Sequence, residues 1–475
     1  MHSVAEALVR LGEVAESAPV TRLSAAFAAA GHELALVGGP VRDAFLGRVA
    51  NDLDFATDAT PEQILDIVRP ISEAHWDIGR QFGTIGAKIA GETVEVTTYR
   101  ADSYDGTSRK PDVVFGTSLE ADLLRRDFTV NALALRLPQL QLVDPSGGIE
   151  DMLEGRLRTP SAPSSSFGDD PLRMLRACRF TAQLDFLVDD ATEAALEELA
   201  PSIRRISAER VNEELSKLLR TDDPRRGLEL LVDTGLAAEV LPELPALRLE
   251  MDEHHHHKDV YQHSLTVLEQ AIAYEKARGV LRSPDLVLRL AALLHDIGKP
   301  ATRRLEAAGA VTFHHHDVVG AKLARRRLRE LRFDNDTIDA VSKLIELHLR
   351  FFGYSDGVWT DSAVRRYVRD AGDQLERLHI LTRADVTTRN KRKADRLAFA
   401  YDDIERRIAE LAEQEELNAV RPDLDGEQIM ALLGIRPGRE VGQAYRFLLE
   451  LRLDEGPLGP DVAADRLRAW WAARS

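Results

Sequence analysis

The stretch NDLDFATDA, residues 51–59, decides how this chain is read. Leu53 and Phe55 alternate with Asp52 and Asp54 as in a β-strand, so two carboxylates share one face about 7 Å apart at their Cα atoms. Like charges held that close call for a positive group between them. Just upstream, LALVGGPVRDAFLG (residues 34–47) predicts an apolar strand from Leu34 to Val37, a Gly38-Gly39 turn, and a helix with Pro40 in its first turn. Backbone amides at a glycine-rich helix entrance can approach and bind phosphate. Downstream, Thr60 and Gln63 have capping-box spacing around Pro61. GTIGAKIAGETVEVTTYR (residues 83–100) then predicts a hairpin with Val94 and Val96 facing one way and Glu95 the other, where it can join the aspartates. Hard cations such as Mg2+ take carboxylate oxygens, and a pair of them can hold an attacking hydroxyl and a leaving phosphate. Solvated acids on an edge strand would account for Asp52 and Asp54 alone. Beside a Gly-Gly phosphate turn, metal-assisted phosphoryl transfer accounts for more.

Composition limits the partners. The 475 residues exceed one ordinary core and predict three or more domains. With 62 Lys and Arg against 79 Asp and Glu, the net charge of −17 repels nucleic acid, so a polyanion must meet a local basic surface. Three stretches offer one: AKLARRRLREL (321–331), TTRNKRKADR (387–396) and the milder PSIRRISAER (201–210). A solvated helix face is the plain alternative for each. The first residues lack the pattern of a signal peptide, no apolar run is long enough to span a bilayer, and the single Cys178 excludes an intramolecular disulfide. The expectation is a cytoplasmic protein with no membrane partner. TPSAPSSSFGDD (159–170) reads as a linker from its Pro and Ser content. Strands alternate with helices before it, and nearly everything after it has helical spacing.

Five ordered segments carry a resemblance: LVGGPVRDAFLGRVANDLDFAT (36–57), RRDFTVNALAL (125–135), DPSGGIEDM (144–152), DDPLRMLRACRF (169–180) and ISAERVNEEL (206–215). Together they resemble the motifs of class II CCA-adding tRNA nucleotidyltransferases, in the DNA polymerase β superfamily. The resemblance implies addition of C, C and A to the 3′ end of tRNA from CTP and ATP, with no nucleic-acid template. It implies Asp52, Asp54 and Glu95 as the catalytic carboxylates, the two aspartates binding Mg2+. Gly38, Gly39, Arg42, Arg126, Asp127 and Asn131 become nucleotide contacts.

Asp170 and Arg173, at i and i+3 of a predicted helix, are neighbours on one face. Cytosine and adenine each present an exocyclic amino donor beside a ring-nitrogen acceptor, which suits a carboxylate beside a guanidinium; uracil and guanine present the reverse. By resemblance this pair reads the incoming base. Arg176 and Arg179 continue the face toward triphosphate, while Leu172, Leu175 and Cys178 read as core. The chain departs from the family at Asp169, where Glu is usual, which bears on that residue's own role. Residues 100–124 resemble the loop these enzymes move between C and A addition.

The second half holds a separate set. His263, the adjacent His295 and Asp296, His316, His348 and Asp385 resemble the ligands of the HD phosphohydrolase superfamily, with Lys299 placed for phosphate. Imidazole and carboxylate suit Ni2+, Mn2+ or Mg2+. The resemblance implies phosphodiesterase or phosphatase action on 2′,3′-cyclic or 3′-phosphate ends. EHHHHKD (253–259) reads as a loop before this bundle, and Trp470 and Trp471 as packing anchors of a final amphipathic helix.

The expected fold is α+β: a polymerase-β-like nucleotidyltransferase head with a small mixed sheet and helices (1–158), a helical neck carrying the base-reading helix (159–250), an HD-type helical bundle (251–400) and a helical tail (401–475). Two other readings share these motifs, a bacterial poly(A) polymerase and an HD phosphohydrolase with an RNA-binding head.

Overall fold

The computed structural model describes residues 4–48, 52–100, 115–116, 118–248, 259–306, 311–355, 359–387, 390–415 and 421–473. Two compact units are present, Met1–Val240 and Leu241–Ser475. Residues 101–114, most of the expected loop, and the histidine run before the bundle lie outside the described residues.

The first unit is built on seven strands: β1 Leu34–Val37, β2 Leu53–Thr57, β3 Ala74–Trp76, β4 Thr84–Ile89, β5 Glu92–Thr98, β6 Ala134–Leu137 and β7 Gln141–Val143. Their order is β3-β4-β5-β2-β1-β6-β7. All neighbours are antiparallel except β2 and β5, which run parallel. That one parallel pair brings Asp54 opposite Glu95, on the same face of adjacent strands. The opposite face is core, with Phe55, Val94 and Val96 buried. After β2 the helix Pro61–Val68 starts in a complete capping box, Thr60 and Gln63 each satisfying the other's backbone N–H, and buries Ile64 and Val68.

The stretch expected to be a linker is folded. Pro163–Asp169 is a short helix with Pro163 in its first turn, and it buries Ser166 and Phe167. Proline breaks a helix interior but suits a helix start, where its missing N–H costs nothing. The boundary expected at 158/159 therefore falls inside the first unit, which continues through the helices Leu172–Leu184, Ala208–Leu219 and Arg225–Asp233. Residues 119–124, expected as loop, form the helix Leu119–Leu124, started by the Ser118 side chain.

The second unit is helical, with Val260–Arg278, Leu286–Leu294, His316–Glu330, Asn335–Leu347, Leu375–Ala384 and Lys391–Glu415 as its principal helices. The 400/401 boundary falls within the last of these. The final three helices, Gly426–Leu433, Arg439–Glu455 and Pro460–Ala472, close on Leu424, Ile429, Ala444, Leu448, Ala463 and Leu467, and Trp470 stacks on Phe447 at 4.6 Å between centroids.

One buried ion pair ties the bundle together. Arg289, 1% exposed, donates Nε (3.0 Å) and Nη2 (3.3 Å) to the fully buried Glu275, which also accepts the Asp285 N–H. Glu275→Ala removes the carboxylate and leaves the guanidinium in apolar surroundings. The expected loss is about 3–5 kcal/mol of unfolding free energy, read by denaturant titration of the second unit's transition.

Candidate active sites

In the first unit, β1 ends at the Gly38-Gly39 turn and the helix Gly39–Phe45 begins at once. Gly38 has φ +71°, and a Cβ there would lie 3.0 Å from Arg126 Nη1. Only glycine allows both the left-handed turn and this approach. The turn thus brings its backbone amides and the Arg126 guanidinium together, although the two are far apart in sequence. Asp52 is exposed one residue ahead of β2; Asp54 lies within β2. Burial, reinforced by Glu95 and Asp52 and opposed by Arg126, pushes the Asp54 carboxyl up to about 6. Three acids converging on one face hold unfavourable negative charge, which a divalent cation would relieve. That is the fit between this face and Mg2+.

A continuous polar chain supports the turn. Arg42 donates Nη1 to Asn131 Oδ1 (2.7 Å), Asn131 donates Nδ2 to Asp127 Oδ1 (3.1 Å), and Arg176 donates Nε to Asp127 Oδ2 (2.7 Å). Arg179 donates Nε to Glu214 Oε2 (2.7 Å) and Nη1 to Gln183, with Arg176 also 3.7 Å from Glu214. The Phe180 ring lies under the guanidiniums of Arg42, Arg176 and Arg179. Burial raises the Asp127 carboxyl, but Arg176 and Asn131 outweigh it and hold it near 2. The expectation that Arg176 and Arg179 reach triphosphate differs from this arrangement. Both guanidiniums pair with buried acids and tie the Leu172–Leu184 helix to its neighbours; Arg179 is 9% exposed, while the Arg176 side chain is 32% exposed.

Asp170 and Arg173 sit at the start of that helix. Asp170 Oδ1 accepts the Leu172 N–H (3.1 Å), and its Oδ2 faces Arg210 (3.2 Å). Arg173 donates Nη2 to the Arg125 carbonyl (2.6 Å) and Nη1 to the Ser166 hydroxyl (2.8 Å). Each member of the pair is therefore oriented by a different partner. Four such supports were missed in the sequence. Ser166 lies in the stretch whose Pro and Ser content signals a linker, and Glu214 is distant in sequence from the arginines it holds. Asp122, 1% exposed, pairs with both Arg125 and Arg126 and accepts the Arg100 N–H; its i+3 and i+4 spacing to the arginines was the available signal. Thr387 Oγ1 lies 3.1 Å from His263 Nδ1.

In the second unit all six expected ligands converge. They form two groups, His263, His295 and Asp385, and Asp296, His316 and His348, each with its ligand atoms within 4.8 Å of one another. His295 and Asp296 follow the Leu286–Leu294 helix, His316 opens its own helix, His348 follows Asn335–Leu347 and Asp385 follows Leu375–Ala384. Helix ends thus aim every ligand except His263 inward. Gly298 permits the packing: a Cβ there would lie 2.1 Å from the His316 carbonyl oxygen. His295, His316 and His348 donate Nδ1–H to the carbonyls of Ala292 (2.9 Å), Phe313 (2.8 Å) and Ile345 (2.6 Å). Their buried Nε2 atoms make no aligned hydrogen bond; those of His295 and His316 point at the Asp296 carboxylate at 3.2 and 3.3 Å, and that of His348 has no partner among the described residues. Imidazole nitrogens turned toward the buried Asp296 and the half-buried Asp385 fit a metal centre.

The charges agree. Burial lowers the His295 pKa, but Asp296 and Asp385 outweigh it and push it up to about 10. Both carboxylates are held well below their usual range despite burial, Asp296 chiefly by His295 and Asp385 by His263 and His295. His348, buried beside that imidazolium, is pushed down to about 4. Lys299 Nζ bonds Asp296 Oδ2 at 2.6 Å. No helix among the described residues is long and apolar enough to cross a membrane.

Comparison with known proteins covers both centres. Residues 34–158 match the family described as "Poly A polymerase head domain", 185–247 match "Probable RNA and SrmB- binding site of polymerase A", and 260–390 match "HD domain". The chain is 35% identical to the A-adding tRNA nucleotidyltransferase of Deinococcus radiodurans over 92% of its length and 95% of that protein's. It is 33% identical to the CC-adding tRNA nucleotidyltransferase of Thermus thermophilus over 92% and 93%. Its fold resembles the CCA-adding enzyme of Bacillus stearothermophilus in complex with CTP, with a TM-score of 0.70, 24% identity, and coverage of 96% of this chain and 98% of that one.

Proposed function

Since the chain belongs to the bacterial-type CCA-adding tRNA nucleotidyltransferase family, we propose that it extends the 3′ end of tRNA with C, C and A from CTP and ATP. The observation that carries this reading is the similarity along nearly the whole chain to two tRNA nucleotidyltransferases. A poly(A) polymerase would share the head, yet both of these full-length relatives act at tRNA ends.

Asp52 and Asp54, with the Glu95 carboxylate beside them, would hold Mg2+, which would favour the ionised 3′-hydroxyl and neutralise charge on the leaving pyrophosphate. The residues supply the rest. Amides of the Gly38-Gly39 turn and the Arg126 guanidinium receive triphosphate oxygens. Asp170 accepts from the amino group of cytosine or adenine while Arg173 donates to the adjacent ring nitrogen. Uracil and guanine would put acceptor against carboxylate and donor against guanidinium, so the same pair rejects them. Arg42, Asn131, Asp127 and Arg176 keep the phosphate turn and the base-reading helix in one frame.

The second centre would hold one ion on His263, His295 and Asp385 and another on Asp296, His316 and His348, with Ni2+, Mn2+ or Mg2+ as candidates. Its substrate would be a 2′,3′-cyclic or 3′-phosphorylated RNA end, which lacks the free hydroxyl that transfer needs. Lys299, beside Asp296, is placed for the phosphate. At neutral pH a cation must displace the proton that His295 carries. Loading the first ion should therefore release about one proton per chain, and affinity should fall as pH falls. Calorimetry in buffers of different ionisation enthalpy reads this directly; metal binding without proton release would contradict it.

The function is tested with tRNA transcripts lacking CCA, CA or A, each offered CTP or ATP alone. CTP incorporation on the first two and ATP on the third is expected. Incorporation of A only, or of C only, would make the protein a partial adder like one of the two relatives above.

A further inference from the structure

Trp76 has no role in the chemistry above, yet the sheet places it in line with the catalytic carboxylates. Trp76 of β3 pairs with Gly86 of β4, Gly86 with Glu95 of β5, and Glu95 with Asp54 of β2. Paired residues on neighbouring strands project to the same face, so these four form one row across the sheet. The alternate residues Ile85, Ala87, Val94, Val96 and Phe55 are buried on the opposite face. Trp76 therefore belongs to the face of the acids and not to that core.

Gly86 leaves the room that the indole fills. A Cβ on Gly86 would lie 2.0 Å from Trp76 Nε1 and 2.3 Å from its Cε2, so the half-buried ring lies across the backbone of β4, on the Glu95 side of its own strand. Gly86 sits inside a regular strand, where glycine costs stability and marks a close approach. From the strand spacing, the ring stands about 5 Å from the line of β5 and about 10 Å from that of β2. The order of groups along the sheet then matters. The Gly38-Gly39 turn follows β1, on the far side of β2 from β5 and β4. In phosphoryl transfer the attacking and leaving oxygens stand roughly in line across the phosphorus. With the triphosphate at the β1 turn, pyrophosphate leaves toward β1 and the attacking 3′-hydroxyl comes from the β5 side. The nucleoside that carries this hydroxyl extends over β5 and β4, where the indole lies.

Resting on the nucleotidyltransferase reading of this face, we propose that Trp76 is the platform on which the last base of the tRNA 3′ end stacks while its hydroxyl attacks the incoming nucleotide. The incoming base has its own place at Asp170 and Arg173, so the two bases do not compete for the ring. Stacking tolerates any base, because every base has a π-face. That tolerance suits an end whose last base changes with each addition, whereas a hydrogen-bonding site would accept one base and refuse the next.

The test compares the full chain with its Trp76→Ala, Trp76→Phe and Gly86→Ala variants, each checked by a thermal melt. The substrates are tRNA lacking CCA, with either a normal or an abasic 3′-terminal nucleotide. On the normal end Trp76→Ala should lose about tenfold to a hundredfold in kcat/KM for tRNA, the scale of one base stack, while KM for CTP stays near the parent's. Trp76→Phe should recover most of that loss. Gly86→Ala keeps the indole but pushes it off β4, and should fall with Trp76→Ala. On the abasic end the parent should drop to the level of Trp76→Ala, and Trp76→Ala should lose nothing further. An equal loss on both ends, or a loss confined to KM for CTP, overturns the platform and leaves nucleotidyl transfer standing. A parent that adds no nucleotide to any tRNA overturns the transferase reading, and the platform with it.

Discussion

Asp54→Asn should cut CTP and ATP incorporation on the order of a thousandfold or more, and Asp52→Asn should do the same. The scale is that of losing one preorganised electrostatic contact to a transition state. An amide has nearly the size of a carboxylate, but it carries no charge to hold a divalent cation or offset charge moving onto the leaving group. The stability of the variant separates lost chemistry from lost structure. Asp54 is raised to about 6 by burial and by Glu95 and Asp52, so its ionised form is held in the folded state at a cost. That cost is absent below about pH 4, grows through pH 6 and is complete above it. Asp54→Asn should therefore melt at or above the parent's temperature at pH 7.5 without metal, and the gain should vanish near pH 4. Near-parental incorporation would remove these carboxylates from the chemistry; a lower melting point at pH 7.5 would mean that Asp54 is a structural acid.

The same residues show what a sequence can carry. β1, the Gly38-Gly39 turn and the helix behind it were legible because an apolar run, paired glycines and a first-turn proline each have one dominant conformation. The pairing of Asp54 with Glu95 needed the parallel β2–β5 contact, a long-range choice that local pattern does not encode. Residues 163–169 were misread because proline and serine signal a loop and a helix start equally well; burial of Phe167 decides between them. Arg176 and Arg179 share the face that helical spacing gives them, and the acids they meet there are not local in sequence. Helical spacing shows where a side chain points and not which acid waits there, and Glu214 lies 35 residues from Arg179. In the second unit the six ligands stood out by residue type, whereas their division into two triads is a property of the packed helices.

Replacing His295 and Asp296 together with Ala should abolish phosphate release from 3′-phosphorylated or cyclic-phosphate RNA ends while nucleotide addition to a free 3′-hydroxyl persists. Each triad loses one of its three ligands, His295 from one and Asp296 from the other, so neither ion keeps a complete protein set. The first unit has its own sheet, its own carboxylates and the helix that carries Arg173, and none of its described polar contacts draws on these two residues. Both side chains are almost fully buried, so a melt of the variant must accompany the assays. The change also removes an electrostatic liability: without His295, Asp385 would lose the imidazolium that neutralises it, but Asp296 leaves at the same time. The double variant should consequently be better folded without metal than His295→Ala alone, where two buried carboxylates would face each other with less compensation. Activity on both ends is measured on one preparation, with Ni2+, Mn2+ and Mg2+ supplied in turn. Loss of addition as well, in a variant that melts like the parent, would mean that the helical unit takes part in transfer. Retention of phosphate release would mean that the two triads are a structural cluster and that the hydrolysis is performed elsewhere.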